Sequence, residues 1–128
     1  MAPYSSKLLD LARDFRHGGA MEAPTSVGKS SCDGRPPFTT FYLRLSEGRV
    51  SDASFQTFGC GVAIAACEAL AALAIGRKWE ECAAIDAREV IEFLEGVPED
   101  KQFCVDLALA ACQAALRQCQ ECAQTTHS

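Results

Sequence analysis

The residue pattern changes period at one place, and that place limits what the chain can become. The segment Val50 to Phe58 reads as a strand, Val62 to Ile75 as an alanine-rich helix, and Gly59-Cys60-Gly61 lies at the join. Upstream, Phe38 to Leu45 alternates, with Phe41, Leu43 and Leu45 on one face and Thr40, Tyr42 and Arg44 on the other. Ser46-Glu47-Gly48-Arg49 turns the chain between the two segments. The spacing therefore predicts an antiparallel hairpin, Ala53 and Phe55 inward, that runs straight into a helix.

Around that unit the punctuation is helical. Tyr4, Leu8, Leu11, Ala12 and Phe15 recur at helical spacing, with Ser5 or Ser6 as cap and Gly18-Gly19 as stop. Residues Ala20 to Pro37, rich in Pro, Gly, Ser and Thr, read as an ordered but irregular crossing that carries Cys32. Gly76, followed by Arg77 and Lys78, ends the first long helix, and a short helix follows around Trp79 to Ala84. Asp86 with Glu89 starts a helix over Ala87 to Glu95 that Gly96 stops, and a last helix runs from about Phe103 to Cys122. One helix, a small antiparallel sheet and then several helices predict an α+β domain with helices packed on one face of the sheet. With no internal repeat and no linker, residues 1–128 read as one domain, a size that buries about two thirds of its unfolded surface.

Composition removes several classes of function. A net charge of -5 without any basic block argues against a nucleic-acid partner. The run Val62 to Ile75 is interrupted by Glu68 and is too short to span a bilayer. The opening MAPYSSKLLDLARDF is amphipathic and lacks the layout of a signal peptide, so the expected location is the cytoplasm, away from membranes. There, eight cysteines read as reduced thiols or ligands rather than a disulfide framework.

The cysteines sort by surroundings. Cys60, at the start of a helix, meets unpaired N–H groups and the positive end of the helix dipole, which favour a thiolate. Cys104 repeats this position at the start of the last helix, although Cys104, Cys112, Cys119 and Cys122 share one quadrant of a helical wheel and so also suit a core face. Cys32 sits in a Ser- and Gly-rich loop. Three such cysteines without a local CxxC pairing suit a site assembled by tertiary folding. Cys67, Cys82 and Cys112 read as small hydrophobes in helix interiors. Cys119-Gln120-Glu121-Cys122 ends a helix without a second pair and reads as no metal site, and neither His17 nor His127 has a ligand-like neighbour. Glu80, Glu81, Glu92 and Glu95 read as solvated helix faces. No Ser-His-Asp set, phosphate loop or paired-carboxylate pattern is present, so no enzyme activity is expected.

These residues carry a resemblance. FQTFGCGVAIAA is similar to the Phe-Lys-Thr-Tyr/Phe-Gly-Cys-Gly-Ser-Ala-Ile-Ala-Ser stretch of the U-type iron–sulfur cluster assembly scaffolds, the IscU/NifU-like family. YSSKLLDLARDF resembles the family's opening helix, SCDG stands in place of its Cys-Gly-Asp, and QFCVDLALAACQAAL occupies the place of its His-Cys helix. The spacings from Cys32 to Cys60 and from Cys60 to Cys104 agree with the family to within a few residues. The resemblance covers nearly the whole chain. It implies an α+β fold with a small antiparallel sheet of about three strands and a cluster site at one solvent-facing end.

It also implies a scaffold that accepts sulfur from a cysteine desulfurase, collects iron, holds a transient [2Fe–2S] cluster on Cys32, Cys60 and Cys104, and passes it to apo-proteins. Cys104 would be the persulfide acceptor, and Asp33 the candidate fourth ligand or a group that keeps the cluster labile. Zinc could fill the same site. The chain would act as a monomer or weak dimer, and as the scaffold module alone, without the C-terminal domains of larger NifU-type proteins.

The chain departs from the family in three places. Asp33 follows Cys32 directly, where the family's aspartate follows by two, which points the carboxylate to the opposite face of an extended segment. Phe103 replaces the histidine before the third cysteine and cannot bind metal. Val97-Pro98-Glu99-Asp100-Lys101 stands where many members carry Leu-Pro-Pro-Val-Lys, read by an Hsp70-type chaperone, and its two acidic residues argue against that partner. Two other readings follow. A SufU-like zinc-holding sulfur acceptor would activate a desulfurase without building a cluster, but such relatives usually carry an insertion that is missing here. A degenerate copy would be an interaction subunit holding no metal.

Overall fold

In the computed structural model the chain is described over residues 4–126, with side chains given for all of these except Pro36, Pro37 and residues 119–126. Helix α1 (Ser6–Arg13) is followed by strands β1 (Ser26–Cys32), β2 (Arg35–Ser46) and β3 (Arg49–Phe58). Helices α2 (Gly61–Ala74), α3 (Trp79–Ala83) and α4 (Ala87–Phe93) come next, then a single 3-10 turn (Glu99–Lys101) and the long α5 (Gln102–Thr126). The three strands form one antiparallel sheet in the order β1-β2-β3. The expected α+β architecture is present.

Both hairpin turns use the same device. Asp33 and Gly34 join β1 to β2, Glu47 and Gly48 join β2 to β3, and all four residues have positive φ. Two left-handed residues in a two-residue loop match the right-handed twist of the strands they connect.

The segment expected to be an irregular crossing thus contains a strand. Its alternation is hidden because the residues of β1 facing the helices are Ser26, Gly28 and Ser30 rather than large apolar ones. They have to be small. A Cβ on Gly28 would lie 2.0 Å from the Ala111 carbonyl oxygen and 2.3 Å from the Ala115 nitrogen, so the backbone of α5 rests directly on the strand. Ser30 Oγ donates to the Leu107 carbonyl at 2.6 Å, and Gln118 Oε1 accepts from the Val27 N–H at 2.8 Å. Polar links replace side-chain bulk along this seam.

On β2 and β3 the predicted faces hold. Phe41, Leu43, Val50, Ala53 and Phe55 are buried against the helices, with the Phe41 and Phe55 rings stacked at 6.4 Å. Thr40, Tyr42, Arg44, Ser54 and Gln56 lie on the other face, exposed or half-buried. Helix α2 is buried on most sides, with α1, α4, α5 and β3 around it. Its alanines let these neighbours approach closely. Among the described residues, no helix is long and apolar enough to cross a membrane.

One detail of the first helix differs from expectation. Ser5 caps it, its Oγ accepting from the Leu8 N–H at 3.0 Å and donating to the Leu94 carbonyl, but the helix ends at Arg13 rather than at Gly18-Gly19. Those glycines belong to a strap along the outer edge of β3. The Phe55 N–H donates to the His17 carbonyl at 3.0 Å, and the Gly19 N–H donates to the Phe55 carbonyl at 2.7 Å. The strap is held by Glu68, a buried carboxylate in the apolar helix α2, which accepts from the His17 N–H at 2.9 Å and also pairs with His17 Nδ1. His17 therefore does have a carboxylate neighbour, in a structural role: a charge buried at this position needs such partners.

The β1–α5 seam yields a direct prediction. Gly28→Ala should destabilise the fold by about 1–3 kcal/mol or more, because the neighbour in the way is helix backbone rather than a movable side chain. Urea unfolding of the two chains would measure it, and an unchanged midpoint would contradict the packing described.

Candidate thiol site

The chain leaves β3 at Phe58, passes Gly59 and starts α2 at Gly61, which places Cys60 at the helix N-cap with extended backbone, φ −88° and ψ 174°. Neither flanking glycine takes a positive φ. The glycines are thus not needed to bend the chain; their effect is to leave the sulfur uncovered by side chains on either side. Cys60 is exposed.

Cys104 lies in the first turn of α5, and its sulfur is 3.8 Å from that of Cys60. Two thiolates bound at about 2.3 Å to one tetrahedral metal would stand about 3.8 Å apart. A shared metal ion would fit this spacing, as does a contact between two thiols. The two sulfurs nevertheless differ in environment. Cys104 is only 1% exposed, since it belongs to the face of α5 that also buries Val105, Ala108 and Cys112. Cys104 is thus enclosed, whereas direct transfer of sulfur onto it from solvent would need an accessible thiol.

Their acidities diverge accordingly. Partial burial works against ionisation of Cys60, but the backbone N–H groups of Ala63 and Val62, the Cys104 thiol and the Lys101 ammonium outweigh it and hold the thiol below its ordinary value. Burial, reinforced by the neighbouring Cys60 sulfur, pushes Cys104 up to about 12. Lys101, in the turn before α5, favours the thiolate form of both.

Cys32 and Asp33 stand elsewhere. Cys32 is exposed at the end of β1, paired with Arg35 across the turn, and Asp33 occupies that turn with φ 52°. Among the described residues, no three of His, Cys, Asp and Glu converge as a metal site. The structure brings Cys60 and Cys104 together and leaves Cys32 and Asp33 on the hairpin tip. Cys67, Cys82 and Cys112 are buried as expected, and burial pushes Cys67 well up and Cys82 to about 11. The Cys119 and Cys122 side chains and His127 lie outside the described residues.

A feature missed in the sequence is the aromatic surface near these thiols. Phe38 and Phe58 are cross-strand partners on the sheet face away from the helices, and Phe58 is 72% exposed. Phe103, beside Cys104, is exposed as well. The signal was available. Phe38 shares the phase of Thr40 and Tyr42, and Phe58 that of Gln56.

Comparison with known proteins adds the following. The family model for the NifU-like N terminal domain matches residues 3–125. The iron–sulfur cluster assembly scaffold protein IscU 1 of Archaeoglobus fulgidus is 34% identical over 113 residues, covering 88% of this chain and 74% of that protein. The scaffold protein IscU of Haemophilus influenzae is 31% identical over 117 residues, covering 88% and 92% respectively. The crystal structure of a NifU-like N-terminal protein from Brucella abortus superposes with a TM-score of 0.76 at 20% identity, covering 93% of this chain and 95% of that one, a likeness of fold.

The exposure and acidity differences predict a labelling order. In the folded chain iodoacetamide should modify Cys60 and Cys32 but spare Cys104, Cys67 and Cys82 until denaturant is added. Because the Cys60 thiol is held low, its thiolate fraction at neutral pH is raised and its labelling should extend to lower pH than that of free cysteine. Peptide mass spectrometry across a pH series would read this, and labelling of Cys104 at the Cys60 rate would contradict it.

Proposed function

The chain belongs to the NifU-like N-terminal domain family, and from that membership and the paired thiols at the starts of α2 and α5 we propose that it is an iron–sulfur cluster assembly scaffold. The observation that carries this reading is the 3.8 Å spacing of Cys60 and Cys104, with one of the two sulfurs open to solvent. Thiolates are the ligands that iron–sulfur clusters require, and a cargo that has to leave again needs an open side.

On this reading sulfur comes from a cysteine desulfurase, iron joins it, and a transient [2Fe–2S] cluster rests on Cys32, Cys60 and Cys104 before passing to apo-proteins. Cys60 and Cys104 form the preset part of the site. Cys32, exposed on the β1–β2 turn, would supply the third thiolate, with Asp33 beside it. Asp33, at an exposed turn, then acts at the edge of the cluster. Phe103 offers no donor where relatives carry one, so this chain would hold its cluster with fewer protein ligands and release it readily. The acidic pair Glu99 and Asp100 beside Lys101 disfavours an Hsp70-type partner. The same sulfur spacing suits zinc, which keeps the zinc-holding sulfur acceptor as the second reading.

Metal content separates the readings. After anaerobic incubation with ferrous iron and sulfide, the native chain should hold iron and sulfide in near-equal amounts, and Cys60→Ser and Cys32→Ser should fall to background. Zinc retained against excess iron would favour the sulfur-acceptor reading. No bound metal under either condition would overturn both.

A further inference from the structure

Cys60 and Cys104 differ in the property that orders two thiols in a reaction. A persulfide donor arriving from solvent meets Cys60, whereas Cys104 is enclosed in the core cluster with its sulfur 3.8 Å behind. Once Cys60 holds a transferred sulfur, its own Sγ remains the sulfur atom set against Cys104. Closing that gap to an S–S bond of about 2.05 Å is a short movement of two side chains. Moving the outer sulfur onto Cys104 would instead add an atom to a close-packed interior, which is unfavourable.

We propose that Cys60 is the thiol on which sulfur enters and Cys104 the thiol that resolves it, an assignment that rests on the scaffold reading above. In the first step the Cys60 sulfur attacks the terminal sulfur of the donor's persulfide. The donor's S–S bond breaks, the donor leaves as a thiol, and Cys60 carries the persulfide. In the second step the Cys104 sulfur attacks Cys60 Sγ. The bond from Cys60 Sγ to the terminal sulfur breaks, and hydrosulfide leaves with the electron pair while the Cys104 proton passes to solvent. Two thiols are oxidised to one disulfide as the sulfane sulfur is reduced to sulfide, so the step balances without another reagent. A dithiol reductant then restores the pair and is itself oxidised to a disulfide, leaving both sulfurs ready for iron.

Glutathione persulfide, given anaerobically to the full chain, tests this without any protein donor. Released sulfide is measured above the reagent's own background, and sulfur is located by peptide mass spectrometry. The native chain should release sulfide and lose two hydrogens through a Cys60–Cys104 disulfide. Cys104→Ser and Cys104→Ala should release none and accumulate one extra sulfur atom on Cys60. In Cys60→Ser, Cys104 should remain unmodified. The proposal is overturned if Cys104 gains sulfur in Cys60→Ser at the native rate, or if sulfide release survives the loss of Cys104. Loading the same chains with ferrous iron and inorganic sulfide bypasses sulfur entry. A native chain that takes up the cluster but shows the wrong thiol order overturns this proposal alone, whereas failure to take it up overturns the scaffold reading beneath it.

Discussion

The contact between the backbone of α5 and Gly28 of β1 governs much of the rest. Because a glycine faces Ala111 and Ala115, the last helix sits directly on the sheet instead of being held off by side chains. That seat fixes the position of α5, and with it Cys104 at the helix start. On the other side of the core, β3 delivers Cys60 to the start of α2, which packs against both β3 and α5. The two sulfurs meet because two helices share one layer on the same sheet. The strap held by Glu68 and His17 closes the outer edge of β3 and so supports the strand that leads to Cys60.

Much of this was legible in the residues, and the exceptions have physical causes. The second hairpin, the helices from Val62 onward and the buried Cys67, Cys82 and Cys112 follow from periodicity and punctuation. β1 escaped because close backbone packing demands small residues, and a strand faced with Ser26, Gly28 and Ser30 carries no hydrophobic alternation. The Asp33-Gly34 pair was the local clue, since this dipeptide favours a two-residue hairpin. Glu68 read as an interruption of an apolar run. Its partner, His17, is 51 residues away in the chain, and no local pattern links them.

For the site, position along the chain singled out Cys60 and Cys104 but said nothing of their inequality. Cys60 and Cys104 occupy equivalent places at helix starts, and a sequence treats them alike. Burial separates them, because α5 is packed from its first turn while the α2 N-cap faces solvent. The result is an exposed, acidified thiol standing over a protected one, with Lys101 near both. Cys32 stands apart from this pair of helix starts, exposed on the β1–β2 turn.

A scaffold builds a cluster in order to give it away, and that can be watched as transfer. The chain, loaded with its cluster, would be mixed anaerobically with an apo-acceptor that binds [2Fe–2S], in the presence of an iron chelator, and followed by circular dichroism. The acceptor's cluster signal should grow as the donor's falls, with no iron passing to the chelator. A signal that stays on the chain, or iron that reaches the chelator before the acceptor, would contradict the scaffold reading.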